Sequence, residues 1–222
     1  MPINNFDGET YVAFSDLNGF KEMMQNHGKA AKALDKLYKT VYELKNQSTY
    51  SNIQTLAISD CAISFISNTD NRAQLALMLN FLKGLHLEMI RTDYLITTSV
   101  AYGSFSYHER IEIKGLEKNM LYGDAYLKAY LNNGKCPEGS IVIICEGNEK
   151  DNILQSAGTN REFLKDIRRR LKGLQYFWAV SSSNEIDKFE EAYQDTYSLK
   201  YKRMISVYKE YSARPTGNQN EA

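Results

Sequence analysis

The chain has 222 residues, room for one domain or for a core with a terminal addition. Lys+Arg and Asp+Glu are both 27, so the formal net charge is zero, which excludes binding to duplex nucleic acid or an anionic membrane through bulk charge. Hydrophobic residues make up 43%, yet no run of about 18 apolar residues offers a membrane span, and Met1–Thr10 has no apolar signal core, so a cytoplasmic protein with no membrane and no nucleic-acid partner is expected.

Tyr11–Phe14 is a short apolar run that predicts a buried strand, ending at Ser15-Asp16-Leu17-Asn18-Gly19. Phe20–Lys45 then reads as one helix, with Phe20, Met23, Met24, His27, Ala31, Leu34, Tyr38 and Val41 on one face and Gly28 as a weak point inside it. After the polar stretch Asn46–Asn52, the strands Ile53–Ile58 and Ala62–Ile66 flank Ser59-Asp60-Cys61 as a tight hairpin. Asn71–Arg91 predicts a second helix, Tyr94–Tyr107 a long strand, Arg110–Lys114 a further strand paired with it, Tyr122–Asn132 a short helix, and Ser140–Cys145 another strand. The order strand, helix, strand, strand, helix, strand predicts an α+β fold with a ferredoxin-like βαββαβ core.

The last third adds a basic helical stretch at Asn160–Lys172, a strand at Gln175–Val180 and one long helix at Glu185–Tyr211. Trp178 is expected to anchor this segment in the core. The expected division is a core over 1–150, a C-terminal α/β extension packed on it over 151–212, and a disordered tail over 213–222. Cys61, Cys136 and Cys145 are odd in number and widely spaced, which argues against a disulfide framework or a zinc site and reads as three small core residues.

Asp16 ends the first strand and Asp60 sits in the hairpin turn. In a split βαβ sheet the first strand lies beside that hairpin, so the two residues meet across neighbouring strand ends. Carboxylates about 5 Å apart raise each other's pKa unless a cation lies between them. Hard oxygen ligands suit Mg²⁺ or Mn²⁺, ions that also bind phosphates. Leu17, Asn18 and Gly19 lead into a helix start, where free N–H groups favour anions. Asp residues also cap and turn chains without any ligand, so the pair alone leaves both readings open.

The flanking residues carry more. Phe14-Ser15-Asp16-Leu17-Asn18-Gly19-Phe20 resembles the first metal motif of class III nucleotidyl cyclases, and Ile58-Ser59-Asp60-Cys61-Ala62-Ile63-Ser64-Phe65 resembles the second. Ser99-Val100-Ala101-Tyr102-Gly103 is similar to a later strand of that family, and Tyr122-Gly123-Asp124-Ala125 to the opening of its interface helix. The closer resemblance is to the stand-alone pyrimidine cyclases of the bacterial Pycsar antiphage system.

This resemblance implies a cyclase catalytic core with a C-terminal helical extension, converting CTP or UTP to cyclic CMP or cyclic UMP plus pyrophosphate. It implies two Mg²⁺ or Mn²⁺ ions held by Asp16, the Leu17 carbonyl and Asp60. Asn18, Gly19 and Phe20 would sit at the phosphates. It implies a homodimer with active sites at the interface, and a separate effector protein that reads the cyclic product.

Where the purine enzymes place polar base readers, this chain has Leu56 and Met120, which disfavours ATP and GTP. Tyr50 is a candidate for base stacking. Leu127 and Leu131 stand where the family carries ribose and transition-state side chains, so either the metals carry most of the transition-state charge or a basic residue of the last third does: Arg168, Arg169, Arg170, Lys200, Lys202 or Arg203. His27, His86 and His108 lack a ligand spacing, and Ser64 and Ser104 lack a triad pattern. Two alternatives remain at this level: a catalytically inactive cyclase-like module that binds nucleotide as a regulator, and a palm-type synthase of dinucleotides or oligonucleotides.

Overall fold

The computed structural model describes residues 3–67, 74–113, 116–167 and 171–214, with the backbone alone for 109–113 and 116–119. Eight strands form one sheet in the order β2-β3-β1-β4-β6-β8-β7, with β5 paired to β4. The strands are β1 Phe6–Leu17, β2 Ile53–Ile58, β3 Cys61–Ile66, β4 Ile96–Ile113, β5 Leu116–Tyr122, β6 Ile141–Ile144, β7 Leu164–Asp166 and β8 Gly173–Tyr176. The first four give the antiparallel order β2-β3-β1-β4 of a ferredoxin-like core, with β1 between β3 and β4. β6 joins β4 in parallel, and β8 and β7 extend the same sheet.

Alternation along β1 assigns its two faces. Tyr11, Ala13 and Leu17 join the larger core, under α2 (His27–Lys45) and α3 (Leu75–Ile90). Val12 and Phe14 join the smaller core, under α4 (Asp124–Asn133). By the same period, Ser15 faces the larger core and Asp16 the α4 side.

Several expectations give way to tertiary context. The helix expected over Phe20–Lys45 is two: α1, a single turn at Phe20–Met23, and α2, which starts afresh because the Asn26 side chain accepts the Lys29 N–H at 3.2 Å. Gly28 therefore sits in the first turn of α2 rather than in a helix interior, and His27 is exposed. Of the strand expected at Arg110–Lys114, residues 110–113 are the continuation of β4 and pair with β5, and residue 114 lies outside the described segments. The helix expected at Asn160–Lys172 is a 3₁₀ turn (Gly158–Phe163) followed by β7, which pairs with β8; residues 168–170 lie outside the described segments.

An unexpected helix, α5, spans Glu149–Ser156. β8 stops at Tyr176, and Phe177–Val180 is buried without being strand. The long C-terminal helix is two, α6 (Ile186–Tyr197) and α7 (Tyr201–Ser212), parted at Ser198-Leu199-Lys200. Of the helix expected over Asn71–Arg91, residues 71–73 lie outside the described segments, as do 215–222 of the expected tail. Among the described residues no helix is long and apolar enough to cross a membrane, and the three cysteines are free.

Trp178 is 2% exposed; its indole donates to the Gly139 carbonyl at 2.9 Å and its ring stacks on Tyr208. Beside it His86 is fully buried, with Nε2 2.9 Å from Thr98 Oγ1, itself 2.8 Å from Ser15 Oγ. Burial pushes the His86 imidazole down to about 3. A base depressed in the fold stabilises it fully above the unfolded value of 6.5 and loses that contribution as pH falls from there towards about 3. Unfolding free energies from urea titrations are therefore expected to drop between pH 7 and pH 4.5, by up to about 1.4 kcal/mol per pH unit. In His86→Leu this part of the slope disappears.

Candidate functional site

β1 ends in a knot of main-chain bonds. The Leu17 N–H donates to the Asp60 carbonyl at 3.0 Å, and the Asn18 N–H to the Leu95 carbonyl at 2.9 Å. Asn18 Oδ1 accepts from Thr97 Oγ1 at 2.8 Å. Gly19 takes a left-handed φ of 70°, which turns the chain into α1. On the other side, Ser59 and Asp60 form a two-residue loop between β2 and β3. Ser59 carries φ 53°, unusual for a residue with a Cβ, and the Tyr38 hydroxyl from α2 bonds its carbonyl at 2.7 Å.

These two ends are neighbours because Asp16 and Cys61 are direct cross-strand partners. One ligand atom each from Asp16, Asp60 and Cys61 lies within 4.8 Å of the others, and all three residues are half-buried. The Cys61 thiol donates to Asp16 Oδ1 at 3.2 Å. Burial raises the Asp16 carboxyl above its ordinary value; the Cys61 hydrogen bond opposes this, and the charge of Asp60 adds to it. Burial and then the Asp16 contact push the Cys61 thiol strongly up, so it stays a protonated donor.

Two carboxylates this close, one of them desolvated, fit a divalent cation: their repulsion is relieved by a positive charge between them, and their oxygens are hard ligands. Cys61 is not the core residue expected of it but a half-buried neighbour of Asp16. Its place follows from register alone, since the first residue of β3 faces Asp16.

The remaining candidates are spread out. Phe20 is 8% exposed and anchors α1 in the larger core. The single turn of α1 cannot add up a macrodipole, so anion binding there rests on the N–H groups of one helical turn rather than on a helix end. Tyr50 lies at the opposite end of the β2–β3 hairpin from Asp60, with its ring edge-on to Phe81, so the structure does not bring it to the pair. Leu56 is buried in the smaller core with Phe14 and Ile63.

Met120 pairs with His108, whereas Asp16 pairs with Thr97. From Thr97 to His108 is roughly 35 Å of extended strand. Leu127, Tyr130 and Leu131 are exposed on α4, and Tyr122 is exposed at the end of β5 just before it. Of the basic candidates, Arg168–Arg170 lie outside the described residues. Lys202 lines a cavity with Asp93 and Tyr94, and Arg203 is exposed on α7. Lys200 lines another cavity of about 460 Å³ with Gly19, Glu22 and Lys29. Sequence periodicity does not single out Lys29, because only the break before α2 brings it to the cavity that Gly19 lines.

No family model and no curated protein matches the chain. Solved structures do. The guanylate cyclase domain of RhGC from Catenaria anguillulae, solved in complex with GTP, matches at 16% identity and a TM-score of 0.57, over 78% of this chain and 97% of that one. The adenylyl cyclase CyaB from P. aeruginosa matches at 11% and 0.54, over 78% and 95%. The dimeric guanylyl cyclase domain of RhoGC from the aquatic fungus Blastocladiella emersonii matches at 15% and 0.59, over 78% and 98%. The strand order around β1, the two aspartates at adjacent strand ends and these likenesses agree: the chain has the fold of class III adenylyl and guanylyl cyclase catalytic domains.

Proposed function

We propose that the protein is a nucleotidyl cyclase that closes CTP or UTP into its 3′,5′-cyclic monophosphate. The observation that carries this is the Asp16–Asp60 pair at neighbouring strand ends of a cyclase-like sheet. Asp16 and Asp60 would hold Mg²⁺ or Mn²⁺, with the Leu17 carbonyl at the same strand end. Ions bound there supply charge neutralisation for the triphosphate and lower the pKa of the attacking hydroxyl. Asn18, fixed through its main chain and side chain, and Gly19 present backbone to the phosphates. The 3′-oxygen passes its proton to solvent water and attacks the α-phosphorus; the bond from that phosphorus to the bridging oxygen breaks, and pyrophosphate leaves.

Pyrimidine choice rests on Leu56 and Met120, which offer no polar group to a purine edge. In one chain Met120 is too far along β4 to share a site with Asp16. A site using both needs a second copy, and the exposed apolar residues of α4 suit such a homodimer. By resemblance to the Pycsar cyclases, the enzyme would work in the cytosol, and its product would be an antiphage alarm read by a separate effector protein.

The test is purified protein with Mn²⁺ and each of the four nucleoside triphosphates in turn, with sedimentation of the same sample. A cyclic pyrimidine monophosphate and a dimer are expected. Cyclic AMP or GMP would overturn the pyrimidine assignment, and a linked dinucleotide would favour a palm-type synthase. Leu127 and Leu131, apolar where the resemblance implies ribose and transition-state side chains, favour a second reading, a regulatory nucleotide-binding module; metal-dependent binding of CTP or UTP without turnover would select it.

A further inference from the structure

We propose that Tyr201 is a positioning residue, through which the α6–α7 helical pair holds the Leu17–Gly19 loop in register with Asp16. This rests on the cyclase reading for its kinetic consequence and on geometry alone for the clamp. Tyr201 is the first residue of α7, 183 positions from Asn18 in sequence. Its hydroxyl accepts the Leu95 N–H at 3.1 Å and donates to the Asn18 carbonyl at 3.3 Å. Asn18 and Leu95 are already joined by a main-chain bond, so one oxygen staples both strand ends.

A second route reaches the Asn18 side chain. Thr97 Oγ1, which donates to Asn18 Oδ1, accepts the Gly139 N–H at 3.0 Å. The Gly139 carbonyl takes the Trp178 indole N–H, and the Glu138 carbonyl takes the Tyr193 and Tyr208 hydroxyls. Main chain and side chain of the residue two places after Asp16 are therefore both tied to the last third of the protein.

Hydrogen bonds add direction to the apolar packing that puts Leu17, Phe20 and Met23 in one core with Met204 and Ile205. The cavity of about 460 Å³ lies between α1 and the α6–α7 junction, lined by Gly19 and Met23 on one side and Leu199 and Lys200 on the other. Beside that gap, the two Tyr201 hydrogen bonds are the directional part of the link from helix pair to loop. The buried hydroxyl remains neutral, since burial raises its pKa, and can both donate and accept.

Tyr201→Phe removes the oxygen and keeps the ring in the core. It is expected to raise amide hydrogen exchange in residues 17–20 and to lower kcat about tenfold, because small misplacements of reacting groups are costly. KM should change less than about threefold and Tm by only about 2 °C. Thr97→Val, which cuts the other route, should act in the same direction, and the double variant should lose more than either. Unchanged exchange at 17–20 in Tyr201→Phe would overturn the clamp, and raised exchange with unaltered kcat would overturn the positioning role. If the wild-type protein turns over no nucleotide, the cyclase reading fails, and exchange at 17–20 alone decides whether the clamp exists.

Discussion

Asp16→Asn and Asp60→Asn are each expected to abolish cyclic nucleotide formation, with kcat/KM down by about three orders of magnitude or more, the several kcal/mol that metal-assisted charge stabilisation supplies. The same substitutions should remove the rise in Tm that Mn²⁺ gives the wild-type protein, a readout that needs no turnover. Without metal the direction reverses. Burial raises the Asp16 carboxyl, and the Asp60 charge raises it further, so the ionised pair works against the fold. An acid whose folded pKa is raised stabilises the fold at low pH and loses that contribution as pH climbs through the folded value. Metal-free Asp16→Asn should therefore be at least as stable as wild type at pH 7, with the gap closing towards pH 4. Carboxylates kept for structure would give the opposite sign, a loss of Tm at neutral pH with or without Mn²⁺.

Local pattern announces part of this arrangement. Tyr11–Phe14 is apolar on both sides and marks the middle of β1, but Asp7–Glu9 has no apolar residue and becomes strand only because β4 runs far enough to pair with it. The hairpin around Asp60 is legible since two apolar runs flank a turn. At Met24–Asn26 the apolar period runs on while the chain does not; the stop is a capping asparagine, a signal present in the sequence and outweighed there by periodicity. β7 lies in a stretch of helical character, and its pairing with β8 overrides local propensity.

The site divides the same way. The two aspartates carry flanking residues that mark them. Cys61 gains its contact from register, and Tyr38 and Tyr201 from elements far away in sequence. No spacing rule reaches across such separations, so the groups that hold the two Asp-bearing loops emerge only from the folded chain.

Gly123→Ala is expected to be the most destabilising single methyl group that can be added around α4. Gly123 precedes the helix with φ 125°, a conformation L-residues rarely adopt. A Cβ there would stand 2.3 Å from the Ser104 carbonyl oxygen and 2.8 Å from Phe105 Cα. Both are backbone atoms of β4, so no side-chain rotation relieves the contact. Strain and overpacking together predict a loss of about 3–5 kcal/mol, read as a fall in the urea midpoint. Gly134, at the other end of the same helix, has φ −66° and open space around its Cβ position. Gly134→Ala should be neutral or stabilise by up to about 1 kcal/mol, chiefly through the unfolded chain.

The contrast isolates the fit of Gly123 against β4 from the glycine-to-alanine effect on the unfolded chain, which both changes share. It also reaches the site, because Asn133 near the helix end donates to the Phe14 and Thr97 carbonyls at 2.9 and 3.0 Å, on the strands that carry Asp16 and its partner. A helix lifted off Ser104 would loosen those bonds, so Gly123→Ala should weaken Mn²⁺ binding as well as the fold. Equal urea midpoints for the two variants would mean that α4 does not sit against β4 as described.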